Sequence, residues 1–288
     1  MCEYANSGSA LICTCAYLQI RTFVLSLYAM NIHFYKYQGT GNDFVIMDNR
    51  DGRYNSLTNQ QVHDLCHRRF GIGADGLMLL NKQEGYDFGM KYYNADGNEG
   101  SMCGNGGRCL VAFAHKMGLQ QEALRFLAVD GPHEASMNGS DWVNLKMQDV
   151  DWVEQGPLYF YLNTGSPHFV KYVDDVQAVD VYAEGRAIRY NDRFAKEGTN
   201  VNFVQKLENG IFVRTYERGV EDETYSCGTG VTAAALTFAG NEEKTYRVPV
   251  QTLGGNLEVR FTKTGERSYR DIWLCGPALN VYEGEVKL

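Results

Sequence analysis

Short apolar runs, alternating or continuous and bounded by Gly, Asn and Asp, dominate this chain and read as strands. They cover Ile32 to Tyr37, Phe44 to Asp48, Leu77 to Leu80, Met90 to Tyr93, Leu124 to Val129, Glu134 to Met137 and Trp142 to Met147. A second series covers Leu158 to Leu162, Val201 to Leu207, Ile211 to Tyr216, Tyr246 to Leu253, Asn256 to Phe261, Ile272 to Cys275 and Ala278 to Tyr282. Helical patterning is rarer. Thr58 and Gln61 form a capping box ahead of an apolar face made by Val62, Leu65 and Cys66. Leu110 to Ala114 and Val231 to Ala239 are short of charge on every face, as in a helix buried on all sides. Asn163 to Val170 reads as a turn carrying His168, and Asn209 with Gly210 as a type I′ hairpin turn.

The order of these elements repeats. Gly39 to Val45 (GTGNDFV) is echoed by Glu197 to Val204 (EGTNVNFV), and a Cys-Gly turn precedes each apolar helix. The predicted fold is α+β, with two pseudo-symmetric halves, each a curved, mostly antiparallel sheet wrapped around one central helix. The first half spans residues 30–150 and the second 151–273, with an active site in the cleft between them. Residues 1–29 stand outside this pattern. Ala10 to Ala29 is moderately apolar, but Arg21 interrupts it and Glu3 replaces the basic start of a signal peptide. This stretch is expected to be an extension outside the fold, with Met30 as the functional start.

Composition narrows the class. With 288 residues, 44% apolar and 22% charged, the chain has room for two packed cores. A net charge of −8 leaves no electrostatic footprint for nucleic acid or an anionic membrane, and neither is an expected partner. The eight cysteines, at 2, 13, 15, 66, 103, 109, 227 and 275, lack the spacing of metal sites or disulfide frameworks. Reduced thiols in a cytoplasmic protein with no metal fit better. Cys66, Cys109 and Cys275 read as small buried apolar residues.

Two cysteines differ. Cys103 in Met102 to Cys109 (MCGNGGRC) and Cys227 in Ser226 to Gly230 (SCGTG) each stand where a Gly-rich turn opens into a helix. Backbone N–H groups and the helix dipole there favour an anion and can lower a thiol from about 8.5 to roughly 3.5 to 7.5, so Cys103 is expected to ionise easily. A single thiolate with His168 as base would perform acyl transfer, but this leaves Cys227 unused. Two thiols on opposite faces of one carbon can remove a proton from one face and return one to the other, which inverts a stereocentre without a cofactor. Asn42, Asn94, Asn105 and Asn200 supply neutral donors and acceptors for a zwitterion, and Glu217 and Arg218 an acceptor for an ammonium and a fork for a carboxylate.

Taken in order, YQGTGNDF, YYNADGNEG, MCGNGGRC, GTNVNFV, YERG and SCGTG closely resemble the diaminopimelate epimerase family, over nearly everything from residue 32 onward. The resemblance implies cofactor-independent epimerisation of LL- to meso-2,6-diaminopimelate, for lysine and peptidoglycan synthesis, by a homodimer. It implies Cys103 and Cys227 as the acid/base thiols, modulated by His168 and Glu217. It also implies substrate contacts at Asn42, Asn94, Gly104, Asn105, Asn200, Glu217, Arg218, Gly228 and Thr229, and a final segment, 274–288, that returns to the first half. Three features depart from the family pattern. Ser166 stands where many members carry Asn, Gly76 where some carry Gln, and the loop from Gly219 to Tyr225 is one residue longer than the commonest form. Proline and hydroxyproline racemases resemble the same pattern but usually have His where Asn105 stands, and a thiol-binding or redox module is a further alternative.

Overall fold

The computed structural model describes residues 31–288, so the expected extension over residues 1–29 lies outside the described residues. Asn31–Phe34 and Glu283–Leu288 belong to one small unit, in which His33 Nδ1 lies 3.9 Å from Glu285 Oε1. Tyr35–Tyr282 form the other, which carries everything that follows.

Two sets of strands follow one another with the same pairing. In the first, β1 (Asn31–Gly39) pairs antiparallel with β2 (Asn42–Asp48) from Tyr35 onward, and β2 runs parallel to β3 (Gly76–Asn81). β3 is antiparallel to β4 (Phe88–Asn94), and β4 parallel to β5 (Leu124–Ala128). Antiparallel β6 (Gly131–Asn138) and β7 (Trp142–Lys146) complete the set.

In the second set, β8 (Glu154–Gln155) and β9 (Phe160–Asn163) lead antiparallel into β10 (Pro167–Tyr172), which runs parallel to β11 (Asn200–Leu207). β11 is antiparallel to β12 (Gly210–Glu217), and β12 parallel to β14 (Thr245–Thr252). The short β13 (Asp222–Thr224) folds back on the end of β12, and antiparallel β15 (Gly255–Lys263) and β16 (Tyr269–Pro277) close the set. The two sets join where β7 pairs antiparallel with β16, Lys146 opposite Trp273 and Trp142 opposite Pro277. β17 (Leu279–Lys287) follows.

Parallel neighbours cannot be joined by a hairpin and need a crossover, which helices supply. α1 (Asn59–Cys66) joins β2 to β3 and α2 (Gly104–Lys116) joins β4 to β5. α3 (Val181–Arg189) joins β10 to β11, and α4 (Gly228–Phe238) lies between β12 and β14. α2 and α4 are the two central helices. Every residue of α2 from Gly104 to Ala114 is buried, as are Gly230 to Leu236 of α4. α2 packs on β2, β6 and β7, and α4 on β10, β11 and β12, and the buried side chains around the two helices join in one continuous hydrophobic cluster. None of the described helices is long and apolar enough to cross a membrane.

The capping box at Thr58 and Gln61 forms as expected. Three local readings are corrected. Pro167–Tyr172 is a strand rather than part of a turn, so His168 sits in the sheet. The β11–β12 loop is Glu208–Asn209, closed by the pair Leu207 and Gly210. The positive φ falls on Gly210 at 129° and on neither loop residue, so the turn is not type I′. Helix α3 has no counterpart in the sequence reading.

Candidate active site

The two Cys-Gly turns have matching backbones. Cys103 is the N-cap of α2 with φ −106° and ψ 129°, and Cys227 the N-cap of α4 with φ −109° and ψ 111°. The carbonyl of Cys103 accepts from Gly107 N–H at 2.7 Å and that of Cys227 from Val231 N–H at 2.8 Å, while neither thiol caps its own helix. The helix starts meet. A Cβ on Gly228 would lie 3.4 Å from Gly104 Cα and 2.9 Å from Leu274 Cδ2, and one on Gly104 would lie 3.1 Å from the same Leu274 carbon. Glycine at both positions permits this backbone approach over the β16 residue Leu274. Across the junction Asn105 Nδ2 donates to Ser226 O at 2.8 Å.

Thiol electrostatics reverse one expectation. Burial is the largest influence on both Cys103 and Cys227 and pushes both thiols above their ordinary range. The N–H groups of Gly106 and Asn105 pull Cys103 down, as Thr229 and Gly230 do for Cys227, and negative charge on Glu217 pushes each up. A helix terminus offers about 0.3–2 kcal/mol, whereas full burial shifts a group by up to ~3–5 units at about 1.4 kcal/mol each. Desolvation therefore outweighs the helix terminus, and the thiol of half-buried Cys103 is raised rather than lowered, against the expected easy ionisation. All five described cysteines are free thiols, and burial raises Cys66 and Cys109 to about 12 and Cys275 to about 11.

Most predicted site residues adjoin these turns. Asn42, at the start of β2, turns its Oδ1 to Cys103 Sγ at 3.5 Å and to Asn105 Nδ2 at 3.4 Å, while its Nδ2 donates to Asp75 Oδ2 at 2.7 Å. Cys227 Sγ lies 3.5 Å from Thr229 Oγ1. Glu217, at the end of β12, accepts from Thr224 Oγ1 at 2.8 Å, and burial raises its carboxyl above the usual range. A second cluster links Asn200 and Arg218. Asn200 Oδ1 accepts from Arg218 N–H at 2.9 Å, and Ser166 Oγ accepts from Asn200 Nδ2 at 2.9 Å and from Arg218 Nη2 at 3.3 Å. The Ser166 departure thus ties two predicted substrate contacts together. Asn94 is exposed at the end of β4, where its backbone closes a turn with Gly97 and Asn98, and its side chain makes no hydrogen bond to either cluster.

His168 is fully buried against the first turn of α4, its Cε1 3.3 Å from where a Cβ on Gly230 would stand. Asn202 Nδ2 donates to Nδ1 at 3.1 Å, which puts the proton of the neutral ring on Nε2, and Nε2 has no partner among the described residues. Burial first and the charge of Arg218 next lower its pKa to about 3. A folded pKa below the unfolded value of about 6.5 stabilises the native state fully above that pH, and the contribution fades as pH falls from 6.5 toward 3. By pH 5 the loss should reach about 2 kcal/mol. Urea unfolding at pH 7 and pH 5 checks this, because His168→Gln should show a smaller acid loss than the parent.

The sequence reading missed two groups. Asp75 fixes the Asn42 amide, as described above. Arg108 is a fully buried cation in α2 whose Nη1 donates to Gly104 O at 3.3 Å and Nη2 to Asn105 Oδ1 at 3.1 Å and Thr40 Oγ1 at 3.3 Å. Its signal was an arginine inside the buried stretch 104–114, which carries no other charge.

A two-repeat, mostly β fold of this kind is a class represented among solved structures. A phenazine biosynthesis protein of the PhzF family from Bacillus anthracis matches with TM-score 0.71 at 15% identity, covering 89% of this chain and 99% of that one. A hydroxyproline epimerase from Agrobacterium vitis matches with TM-score 0.62 at 15% identity, covering 90% and 93%. Within this class the family model for diaminopimelate epimerase matches residues 34–153 and 160–278. A protein named diaminopimelate epimerase from Flavobacterium psychrophilum is 47% identical over 251 residues, 86% of this chain and 98% of that protein. The chain belongs to the diaminopimelate epimerase family.

Proposed function

We propose that this chain interconverts LL- and meso-2,6-diaminopimelate with no cofactor, one thiol serving each face of the α-carbon. The observation that carries the reading is the meeting of two N-cap cysteines whose helices touch at Gly104 and Gly228. The cycle starts from the form in which one sulfur has lost its proton to solvent; that thiolate takes the α-proton, and the electron pair of the C–H bond stays on carbon. The thiol opposite then gives its proton to that carbon from the other face, and the two sulfurs exchange protonation states. Helix N-terminal N–H groups around Gly104, Asn105, Gly228 and Thr229 hold the α-carboxylate and favour charge as it develops. Glu217 and the unpartnered Nε2–H of His168 modulate the thiols, Asn42 and Asn105 orient Cys103, and Asn94, Asn200, Glu217 and Arg218 hold the amino and carboxylate groups. The working unit is a homodimer of chains built from halves 30–150 and 151–273, with 274–288 returning to the first, and its product feeds lysine and peptidoglycan synthesis.

Proton NMR of LL-diaminopimelate with the enzyme in D₂O tests the reaction. Solvent deuterium should enter the α-position as the meso isomer appears. Meso product formed without deuterium, or no product at all, would count against two-base proton transfer.

A further inference from the structure

Gly76, next to the Asp75 that holds the Asn42 amide, carries no side chain, and the Tyr92 ring occupies the space beside it. A Cβ on Gly76 would lie 2.5 Å from Tyr92 Cε2, 2.9 Å from its hydroxyl oxygen and 2.5 Å from Tyr93 O, so with ring and backbone placed as they are only glycine fits there. On another side of the ring, a Cβ on Gly100 would come within 2.8 Å of Cδ1 and Cε1 and 3.1 Å of Asn94 Nδ2. Two glycines thus form a slot for one aromatic ring.

The register fixes where this slot faces. In antiparallel β3 and β4, Gly76 stands opposite Asn94 and Met78 opposite Tyr92. Alternation puts Tyr92 and Asn94 on one face of β4 and Tyr93 on the other. The same face packs on the first turn of α2: Met78 Cε and Phe44 Cζ lie 2.6 Å and 3.4 Å from where a Cβ on Gly106 would stand, and the Phe44 and Tyr92 rings are 6.0 Å apart, edge to face. The ring therefore lies beneath the turn that carries Cys103. Its hydroxyl forms no hydrogen bond with the described residues.

We propose that the Tyr92 hydroxyl is a substrate contact, donating a hydrogen bond to a carboxylate oxygen of the bound amino acid from the slot that Gly76 and Gly100 open. Burial first, with the nearby carboxylates of Asp75 and Glu217, raises the phenol well above its ordinary range, so it stays protonated and remains a donor throughout the working pH range. In this chain the contact replaces one that a longer side chain at position 76 would make. The inference rests on the epimerase reading above.

Tyr92→Phe removes only the hydroxyl and keeps the ring in its slot. One net hydrogen bond lost should lower kcat/KM for LL-diaminopimelate about 3- to 10-fold, carried by KM, with an unchanged melting temperature. Tyr92→Leu should share the rise in KM and also melt lower, because it empties the slot. A wild-type KM in Tyr92→Phe would overturn the contact while leaving the reaction intact. Parent enzyme that fails to epimerise LL-diaminopimelate in the same assay would overturn the reaction and the contact with it.

Discussion

Cys103→Ala and Cys227→Ala are each expected to fold and each to lose at least about 10³-fold in the interconversion of LL- and meso-diaminopimelate, within the range a positioned acid or base supplies. In the proposed scheme each sulfur serves one face of the carbon, so neither can substitute for the other. The folds should survive because neither thiol caps its helix, and the carbonyls that start the helices belong to the backbone. Removing one buried sulfur should cost on the order of 1 kcal/mol, far below what unfolds a domain of this size. The double variant should be little worse than either single one, since residues that act as a unit lose activity together. Isomer formation followed by NMR, beside thermal melts of the same samples, separates the outcomes. Near-wild-type turnover in either single variant would remove the two-base scheme.

Both helix starts were legible because the features that make them, small residues around a cysteine and an uncharged run behind it, are local. The pairing of the halves was legible only as an echo. What joins them, β7 against β16 and Asn105 against Ser226, is non-local and leaves no periodic trace. Helix α3 was hidden by Gly185, a poor helix former in mid-helix. Packing explains it, since a Cβ there would lie 2.4 Å from Tyr216 Cβ of β12. The expected low pKa of Cys103 failed for a related reason. The helix dipole is written in the sequence, but the burial that opposes it is a property of the assembled sheet and helices. Tyr92 passed for an ordinary strand aromatic because its meaning depends on Gly76, sixteen positions away in the chain and diagonally across β3 and β4, two residues from its direct partner Met78.

Diaminopimelate carries a second amino-carboxylate centre, and the polar groups that take no part in proton transfer make it the feature on which selectivity should turn. Asn200 and Arg218 are locked to each other and to Ser166, and Arg218 Nη1 donates to Glu197 O at 3.0 Å. In the proposed site, side chains held this firmly would be preorganised for a distal group rather than free to follow whatever enters. When that group is missing, the bonds meant for it are left unmade, and a site built in this way discriminates by about 10⁴ or more. LL- and meso-diaminopimelate should therefore turn over, while lysine, proline and DD-diaminopimelate should fall at least about 10⁴-fold lower in kcat/KM. The stereochemical arm is the sharper one, because DD-diaminopimelate offers every functional group and only the configuration of its distal centre is wrong. Solvent deuterium exchange at each α-carbon, measured for all five amino acids at equal enzyme concentration, reads the ratios directly. Proline exchanging as fast as LL-diaminopimelate would assign this chain to a racemase of small cyclic amino acids, with the same two thiols doing the same chemistry on a different substrate.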